Sequence, residues 1–462
     1  MGEKKLANGK VIALFAIGQL GWAILSGIIS NWLVYYYMPS DTMLSHGMTV
    51  FITQGIVFGG LTVIGIITGC GRLLDGFIDP FIASVSDRHK GPRGRRIPFM
   101  RLSALPFALM TVLVFVLPST SSAAANNVIL FICLMLFYIT LSLYCTPFNA
   151  LIPELGRTQE LRVNLSTFIS VAYFLGTAVA YLVTAIAGML EPSLGPLVSF
   201  RVTVAVLAVI ALVCMLVPAF GIDETLYADT KPSSVPMWQS VSKTFKNRDF
   251  LTFEGSDVLY WVSITMFQTG LPYYVTELMG FDDSWTFVFF AAMTVISLLF
   301  YAPVNILAKR IGKKKLVAFA FFFFCAAFGV TAVCGNYGIP PIAWGVAVAI
   351  LAAVPMAILG ILPQAVLADI AESDAVTTGE NRVGMFYAAR TFAMTLGQTL
   401  AMILFTSIST AAGGGLGYRL TAVAAVAFCL VAGLVFTRYR ENKVLAIIAS
   451  DPVTAAAVRE DE

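Results

Sequence analysis

The sequence predicts an all-α membrane protein of twelve transmembrane helices, built as two pseudo-symmetric bundles of six with both termini cytoplasmic. Three observations predict it: twelve long apolar runs, a scarcity of charge, and basic residues gathered at alternate ends of those runs. Hydrophobic residues make up 58% of the 462 and charged residues 12%, against roughly 25% charged in an average soluble domain. A soluble fold would have to expose much of that apolar surface, which soluble proteins avoid. Lipid as the solvent removes the conflict.

A spanning helix needs about 20 apolar residues. Such runs cover residues 11–38, 56–86, 97–117, 127–152, 163–190, 199–222, 250–275, 284–308, 315–335, 340–367, 383–410 and 417–437. The first is too long for the h-region of a signal peptide and no small-residue cleavage site follows it, so it reads as a span. The polar stretch 223–248 reads as a cytoplasmic linker between an N-terminal bundle, 1–222, and a C-terminal bundle, 249–441. Residues 442–462 read as a cytoplasmic tail. With the N-terminus inside, 26 of the 29 lysines and arginines fall on the cytoplasmic side, as the positive-inside rule requires. The other three are Arg72, inside the second run, and Arg201 and Arg419, near external ends. The basic stretch Ser86-Asp87-Arg88-His89-Lys90-Gly91 is echoed 222 residues later by Ala308-Lys309-Arg310-Ile311-Gly312-Lys313. Two six-helix halves around a midplane solute site form the major facilitator plan.

Composition also excludes function classes. The seven cysteines lie in or beside apolar runs with no C-x-x-C spacing, so they read as small buried hydrophobes, not disulfides or metal ligands. The two histidines, His46 and His89, lie outside the runs. Haem, zinc and Ser–His chemistry are therefore not expected. Neither is an enzyme, a cofactor or a nucleic-acid partner. The expected partners are a small-molecule solute and the bilayer, and the expected state is a monomer.

The chemistry concentrates in Gly71-Arg72-Leu73-Leu74-Asp75-Gly76-Phe77-Ile78-Asp79-Pro80, inside the second run. Spacings of three and four residues put Arg72, Asp75 and Asp79 on one helical face. Each charge at membrane depth costs about 2.5–3.5 kcal/mol on insertion scales, so such groups face a polar cavity, pair or bind ions. One arginine cannot neutralise two carboxylates, which points to a cation site on Asp75 and Asp79 rather than a structural pair.

That stretch, continued by Ser86-Asp87-Arg88 and Gly94-Arg95-Arg96-Ile97-Pro98-Phe99, resembles the glycoside–pentoside–hexuronide cation symporters of the major facilitator superfamily, the melibiose permease-like group. The resemblance continues in Pro147-Phe148-Asn149-Ala150-Leu151-Ile152-Pro153-Glu154-Leu155, in Gly270-Leu271-Pro272-Tyr273-Tyr274, and from Ala368-Asp369-Ile370 to Thr378-Gly379-Glu380-Asn381-Arg382. It implies that Asp75 and Asp79 bind the coupling cation, with Ser142 at the position of a neighbouring hydroxyl; Thr146 is a further hydroxyl that could complete the shell. A helix-4 acid of the family is replaced here by Cys145, a helix-1 acid and its preceding lysine by Ala23 and Trp22, and a helix-11 lysine by Thr395. Losing a hard ligand favours a proton, which needs only one carboxylate of raised pKa, over sodium as the coupling ion.

The candidate solute contacts are Gln19, Trp22, Ser26 and Asn31 on the first helix, Arg72 on the second, and Tyr144 and Asn149 on the fourth. The seventh offers Asp257, Tyr260, Trp261 and Gln268, and the eleventh Arg390, Thr395 and Gln398. An aromatic platform with a few hydrogen-bonding groups suits a sugar ring, while plain packing competes for every aromatic. Asp257 stands out as a mid-span acid. A cytoplasmic cluster joins Asp87, Arg95 and Arg96 after the second helix, Glu154, Arg157 and Arg162 after the fourth, and Asp369, Glu372 and Arg382 after the tenth. Opposite charges at the mouths of two halves would form a gate. The expected function is secondary active symport of a sugar, glycoside or sugar acid with a proton or sodium ion across a bacterial inner membrane. The alternative cargo on the same fold is a lysolipid or drug-like amphiphile.

Overall fold

A computed structural model describes residues 5–45, 47–89, 94–156, 159–227, 244–379 and 383–450. The chain divides into two compact units. The first comprises Met1–Ser234 with Leu271–Glu277 and Phe281–Val288. The second comprises Val235–Gly270, Leu278–Gly280 and Phe289–Glu462.

In the first unit, α1 (Gly9–Tyr37) begins at an Asn8 cap, whose side chain accepts from the Val11 amide. A short α2 (Asp41–Ser45) follows, then the strands β1 (Ile56–Phe58) and β2 (Leu61–Thr62), which pair antiparallel. This hairpin corrects the expected span 56–86: helix α3 starts only at Val63 and ends at Arg88. The physical reason lies in Gly59 and Gly60, whose φ values of 54° and 91° turn the chain; glycine alone takes such angles without strain. Thr62 then caps α3, accepting from the Gly65 amide. Helices α4 (Ile97–Val116) and α5 (Ala123–Leu155) come next. The fifth apolar run is broken at Leu182 into α6 (Gln159–Tyr181) and α7 (Val183–Leu194), and α8 (Pro196–Gly221) and the short α9 (Glu224–Tyr227) complete the series.

Helix α1 packs against α6 and α8, α3 against α5, and α4 against α5 and α8. Small residues permit the close approach that helices use in lipid. A Cβ on Gly176 would stand 2.8 Å from the Leu20 carbonyl, and one on Gly21 would meet the Ala211 carbonyl.

The second unit holds α10 (Arg248–Tyr273), α11 (Trp285–Ile311), α12 (Lys313–Val333), α13 (Pro341–Thr378), α14 (Val383–Ala412), α15 (Gly414–Phe436) and α16 (Glu441–Ala449). The ends of α10 and α11 fall in the first unit, and α10 runs into a π-helical turn, Tyr274–Leu278. Helix α12 packs against α13 and α15, and α14 against α15. Helix α13 extends well beyond the expected 340–367 because 368–378 is polar yet still helix-forming. Among the described residues, nine helices are long and apolar enough to cross a membrane. The three long helices outside that set are α3, α10 and α11. The first two carry the mid-helix charges Arg72, Asp75 and Asp79, and Glu254 and Asp257.

Candidate functional site: a carboxylate–hydroxyl ladder and a buried ion pair

The first site lies between α3 and α5. Asp75 and Asp79 are one turn apart on α3, and Ser142 and Thr146 one turn apart on α5. The two ladders are in register. Ser142 Oγ donates to Asp75 Oδ1 at 2.8 Å, and Thr146 Oγ1 donates to Asp79 Oδ1 at 2.7 Å, with the same separation of 67 residues. Both aspartates are half-buried and Ser142 is fully buried. Pro80 follows Asp79 inside the helix. A proline within a helix removes one N–H from the ladder, so the Gly76 carbonyl loses its regular donor beside the two acids. Close oxygens from two carboxylates and two hydroxyls, with a carbonyl nearby, make a set able to hold a proton or a small hard cation. Arg72, one turn before Asp75, donates from Nη2 to Ser30 Oγ at 2.9 Å and lies 5.6 Å from the centre of the Tyr138 ring. Cys145, a free thiol, sits between Ser142 and Thr146 in sequence.

The second site lies wholly within the second unit. Arg390 of α14 grips Asp257 of α10 with two hydrogen bonds, Nε to Oδ2 at 2.8 Å and Nη2 to Oδ1 at 3.1 Å. Asp257 is 3% exposed and Arg390 8%. The guanidinium also faces the Phe253 ring at 5.7 Å. Bidentate geometry and near-complete burial make this a strong, oriented pair. Glu254, one turn before Asp257, is as deeply buried at 4% exposed. The sequence reading overlooked Glu254. The signal was present, since the argument that singled out Asp257 as a mid-span acid applies equally three residues earlier.

The other expected solute residues fare unevenly. Gln19 is buried and accepts from Trp22 Nε1 at 3.2 Å, and Trp22 lies 5.9 Å from the Tyr173 ring. Asn31 is buried, and its Nδ2 has no hydrogen-bond partner among the described residues. Tyr144 is fully buried and its hydroxyl donates to the Met215 carbonyl at 2.9 Å, a packing position. Thr395 bonds back to the Thr391 carbonyl of its own helix at 3.0 Å. Tyr260 is buried against the Phe321 and Phe324 rings. Trp261 lies beside Tyr260, with ring centres 5.5 Å apart. Gln268 and Gln398 are half-buried, Ser26 is half-buried, and Asn149 is exposed. A cavity of about 650 Å³ in the first unit, lined by Tyr35, Thr184, Glu191 and Asp283 among others, shares no residue with the expected solute set.

Four of the charges expected to form a gate, Arg95, Arg96, Glu154 and Asp369, are paired inside their own units. Glu154 Oε1 takes Arg95 Nη2 at 3.1 Å and Arg96 Nη1 at 2.6 Å, and Arg96 Nη1 also donates to the Ala150 carbonyl. Burial pushes the Glu154 carboxyl up from its usual range, against the pull of Arg96 and Arg95. In the second unit Lys313 Nζ holds Asp369 Oδ2 at 2.6 Å. Glu372 is half-buried. Arg157 and Arg382 lie outside the described residues, as do the side chains of Asp87, Arg88 and Arg162.

These pairs belong to a motif built twice. Glu224 is buried and accepts the Arg96 and Ile97 amides at 2.8 and 3.0 Å, capping α4. Glu441 accepts the Lys313 and Lys314 amides at 2.7 and 3.2 Å, capping α12. A left-handed glycine precedes each cap, Gly94 at φ 100° and Gly312 at φ 90°, and a Cβ on either would run into the capping glutamate. The matching positions are 218 apart for the glycines, 217 for the caps (224 and 441) and 215 for Glu154 and Asp369. The structure thus pairs the turn at Gly94-Arg95-Arg96 with that at Gly312-Lys313-Lys314, an offset a few residues shorter than the 222 read from the sequence.

Comparison with known proteins agrees with this architecture. Residues 14–437 match the family described as MFS/sugar transport protein. An uncharacterized symporter of Synechocystis is 23% identical over 72% of this chain and 76% of its own. The isoprimeverose transporter of Lactiplantibacillus pentosus is 24% identical over 60% of this chain and 57% of its own. The lactose permease of Lactobacillus helveticus is 24% identical over 68% of this chain and 50% of its own. Among solved structures, the nucleoside transporter NupG superposes with a TM-score of 0.67 over 93% of this chain and 99% of its own at 11% identity. A proton-dependent oligopeptide transporter structure gives 0.67 over 95% and 99% at 12% identity. At such identities the structural likeness is one of fold.

Proposed function

The chain belongs to the MFS/sugar transport protein family, and from that premise we propose that it is a cation-coupled symporter of a sugar, glycoside or sugar acid. It is a multi-pass membrane transporter of the sugar type, not an enzyme. The proposal adds the coupling, the solute class and the place. In this reading the protein has twelve spans with both termini cytoplasmic, sits in a bacterial inner membrane, and works as a monomer by alternating access. The linker 223–248 joins its bundles.

The observation that carries the coupling is the ladder of Asp75 and Asp79 against Ser142 and Thr146. Two carboxylates one turn apart repel when both are ionised, so a bound cation or proton lowers the energy of the pair. The set contains no third acid at Cys145, and hard oxygen ligands of higher total charge suit sodium better; a proton is the coupling ion this site favours. In this reading the candidate solute contacts are Gln19, Trp22 and Asn31 in the first unit, with the positive charge of Arg72, and Trp261, Gln268 and Gln398 in the second.

The test is reconstitution into proteoliposomes. Counterflow against a panel of sugars names the solute, and accumulation driven by an imposed proton or sodium gradient names the ion. Asp75→Asn and Asp79→Asn should abolish accumulation while sparing exchange. Full accumulation by both variants would sink the proposed site.

A further inference from the structure

Helix α10 holds an acid that the coupling site does not use. Glu254 is 4% exposed, and both of its carboxyl oxygens are buried without a hydrogen-bond partner among the described residues. One turn further, Asp257 already occupies the fork of Arg390 through two hydrogen bonds. One turn beyond that, Trp261 Nε1 is buried without a partner as well. Spacings of three and four residues put 254, 257 and 261 on one face of the helix. Two carboxylates stand within one turn of each other here, and the guanidinium bonds only one of them, Asp257. Ionised, the group carries a net negative charge that no partner offsets in the interior of the unit. A buried carboxylate without partners is strongly disfavoured, and it takes up a proton instead.

We propose that Glu254 is a proton-binding site of the second unit. The proton resides on Glu254 while Arg390 holds Asp257. It leaves when Arg390 swings to Glu254, whose carboxylate the guanidinium then pairs, and Asp257 is the nearest acid to receive it. The groups that face this exchange are few. Asp257 and Tyr260 lie on α10 and Arg390 on α14. Helix α15 brings Cys429 and the Ala432 carbonyl, which accepts from Ser256 Oγ at 2.9 Å. Helix α12 presents the Phe321 and Phe324 rings to Tyr260. Asp249, two turns from Asp257, is held by Arg440 and does not compete for Arg390. The inference rests on the transporter reading of the chain and not on Asp75 and Asp79 as its coupling acids.

Infrared spectroscopy of the full chain in lipid bilayers, titrated with pH, reads protonated carboxyls directly. The wild type should show a protonated-carboxyl C=O band that bleaches as pH rises. Glu254→Gln should lose one component of that band. The double variant Asp75→Asn with Asp79→Asn should keep that component, and Glu254→Asp should restore it with a shifted midpoint. If Glu254→Gln fails to fold, Glu254→Asp alone decides: an unshifted midpoint overturns the proposal. Superimposable titrations of the wild type and Glu254→Gln overturn it too. Loss of the component only in the Asp75/Asp79 double variant overturns it as well, while leaving the coupling reading intact. Failure of that reading appears separately, as gradient-driven accumulation by Asp75→Asn.

Discussion

At the scale of single residues, burial and partner count separate the two charged sites. Asp257 and Arg390 are both nearly inaccessible and satisfy one another. Removing one partner of such a pair strands a charge in a dry interior, at about 3–5 kcal/mol. Arg390→Ala should therefore lower the thermal unfolding midpoint of the purified protein sharply, and the double variant Asp257→Ala with Arg390→Ala should recover part of the loss. Equal midpoints for wild type and single variant would show that the pair contributes nothing to stability. The Asp75 and Asp79 side chains are half-buried, and in the proposed coupling site their hydroxyl partners would tune ion affinity more than they hold the fold. A hydrogen bond to a charged group contributes roughly 1.5–3 kcal/mol. Thr146 donates to the Asp79 carboxylate and so favours its ionised form over the protonated one. Thr146→Ala should therefore strengthen the apparent affinity for a coupling proton by about tenfold or more, measured as a shift of half-maximal proton-driven uptake to higher pH. Cys145→Asp supplies the missing third carboxylate and should raise sodium stimulation of uptake at fixed pH; unchanged stimulation would mean that the site does not accept sodium ligands there.

At the scale of elements, two capping glutamates do the same work in different helices. Glu224 closes the first turn of α4 and Glu441 that of α12, each taking two backbone amides. Losing a side-chain cap costs about 0.5–2 kcal/mol. Glu224→Ala and Glu441→Ala should each lower the thermal midpoint by a comparable amount, since the geometry is shared. A large loss for one and none for the other would show that the duplicated motif is not energetically duplicated. The capped turns were hidden from a reading by composition. Basic loops recur on the cytoplasmic side for topological reasons, so the 222-residue echo matched charge with charge. The 217-residue echo depends on Glu224 and Glu441, which are far from their caps in sequence.

At the scale of the whole molecule, the placement of lysine and arginine makes a topological prediction. A cysteine at Ser45, in the exposed segment after α1, should react with a membrane-impermeant maleimide in intact cells. A cysteine at Ser450, beyond α15, should react only after the membrane is permeabilised. Both substitutions belong in a background lacking the seven native cysteines. Labelling of Ser450→Cys in intact cells would overturn the orientation.

The sequence by itself determined the solvent and the class of fold, because apolar runs of about 20 residues have no stable alternative to helix in lipid. It also determined which face of α3 carries Arg72, Asp75 and Asp79, because spacing on one helix is a local property. Helix ends that depend on turn chemistry were less legible, and the Gly59–Gly60 hairpin displaced an expected span. The family resemblance points to Ser142, with Thr146 as a further hydroxyl, beside Asp75 and Asp79; tertiary structure decided the contacts themselves and every other pairing. Ser142 and Thr146 meet Asp75 and Asp79 only because α3 and α5 pack in one register. Arg390 finds Asp257 across 133 residues of chain, and both Glu254 carboxyl oxygens are left without a hydrogen-bond partner among the described residues. Pairings of that kind rest on which faces of distant helices touch, and no spacing within one helix encodes it.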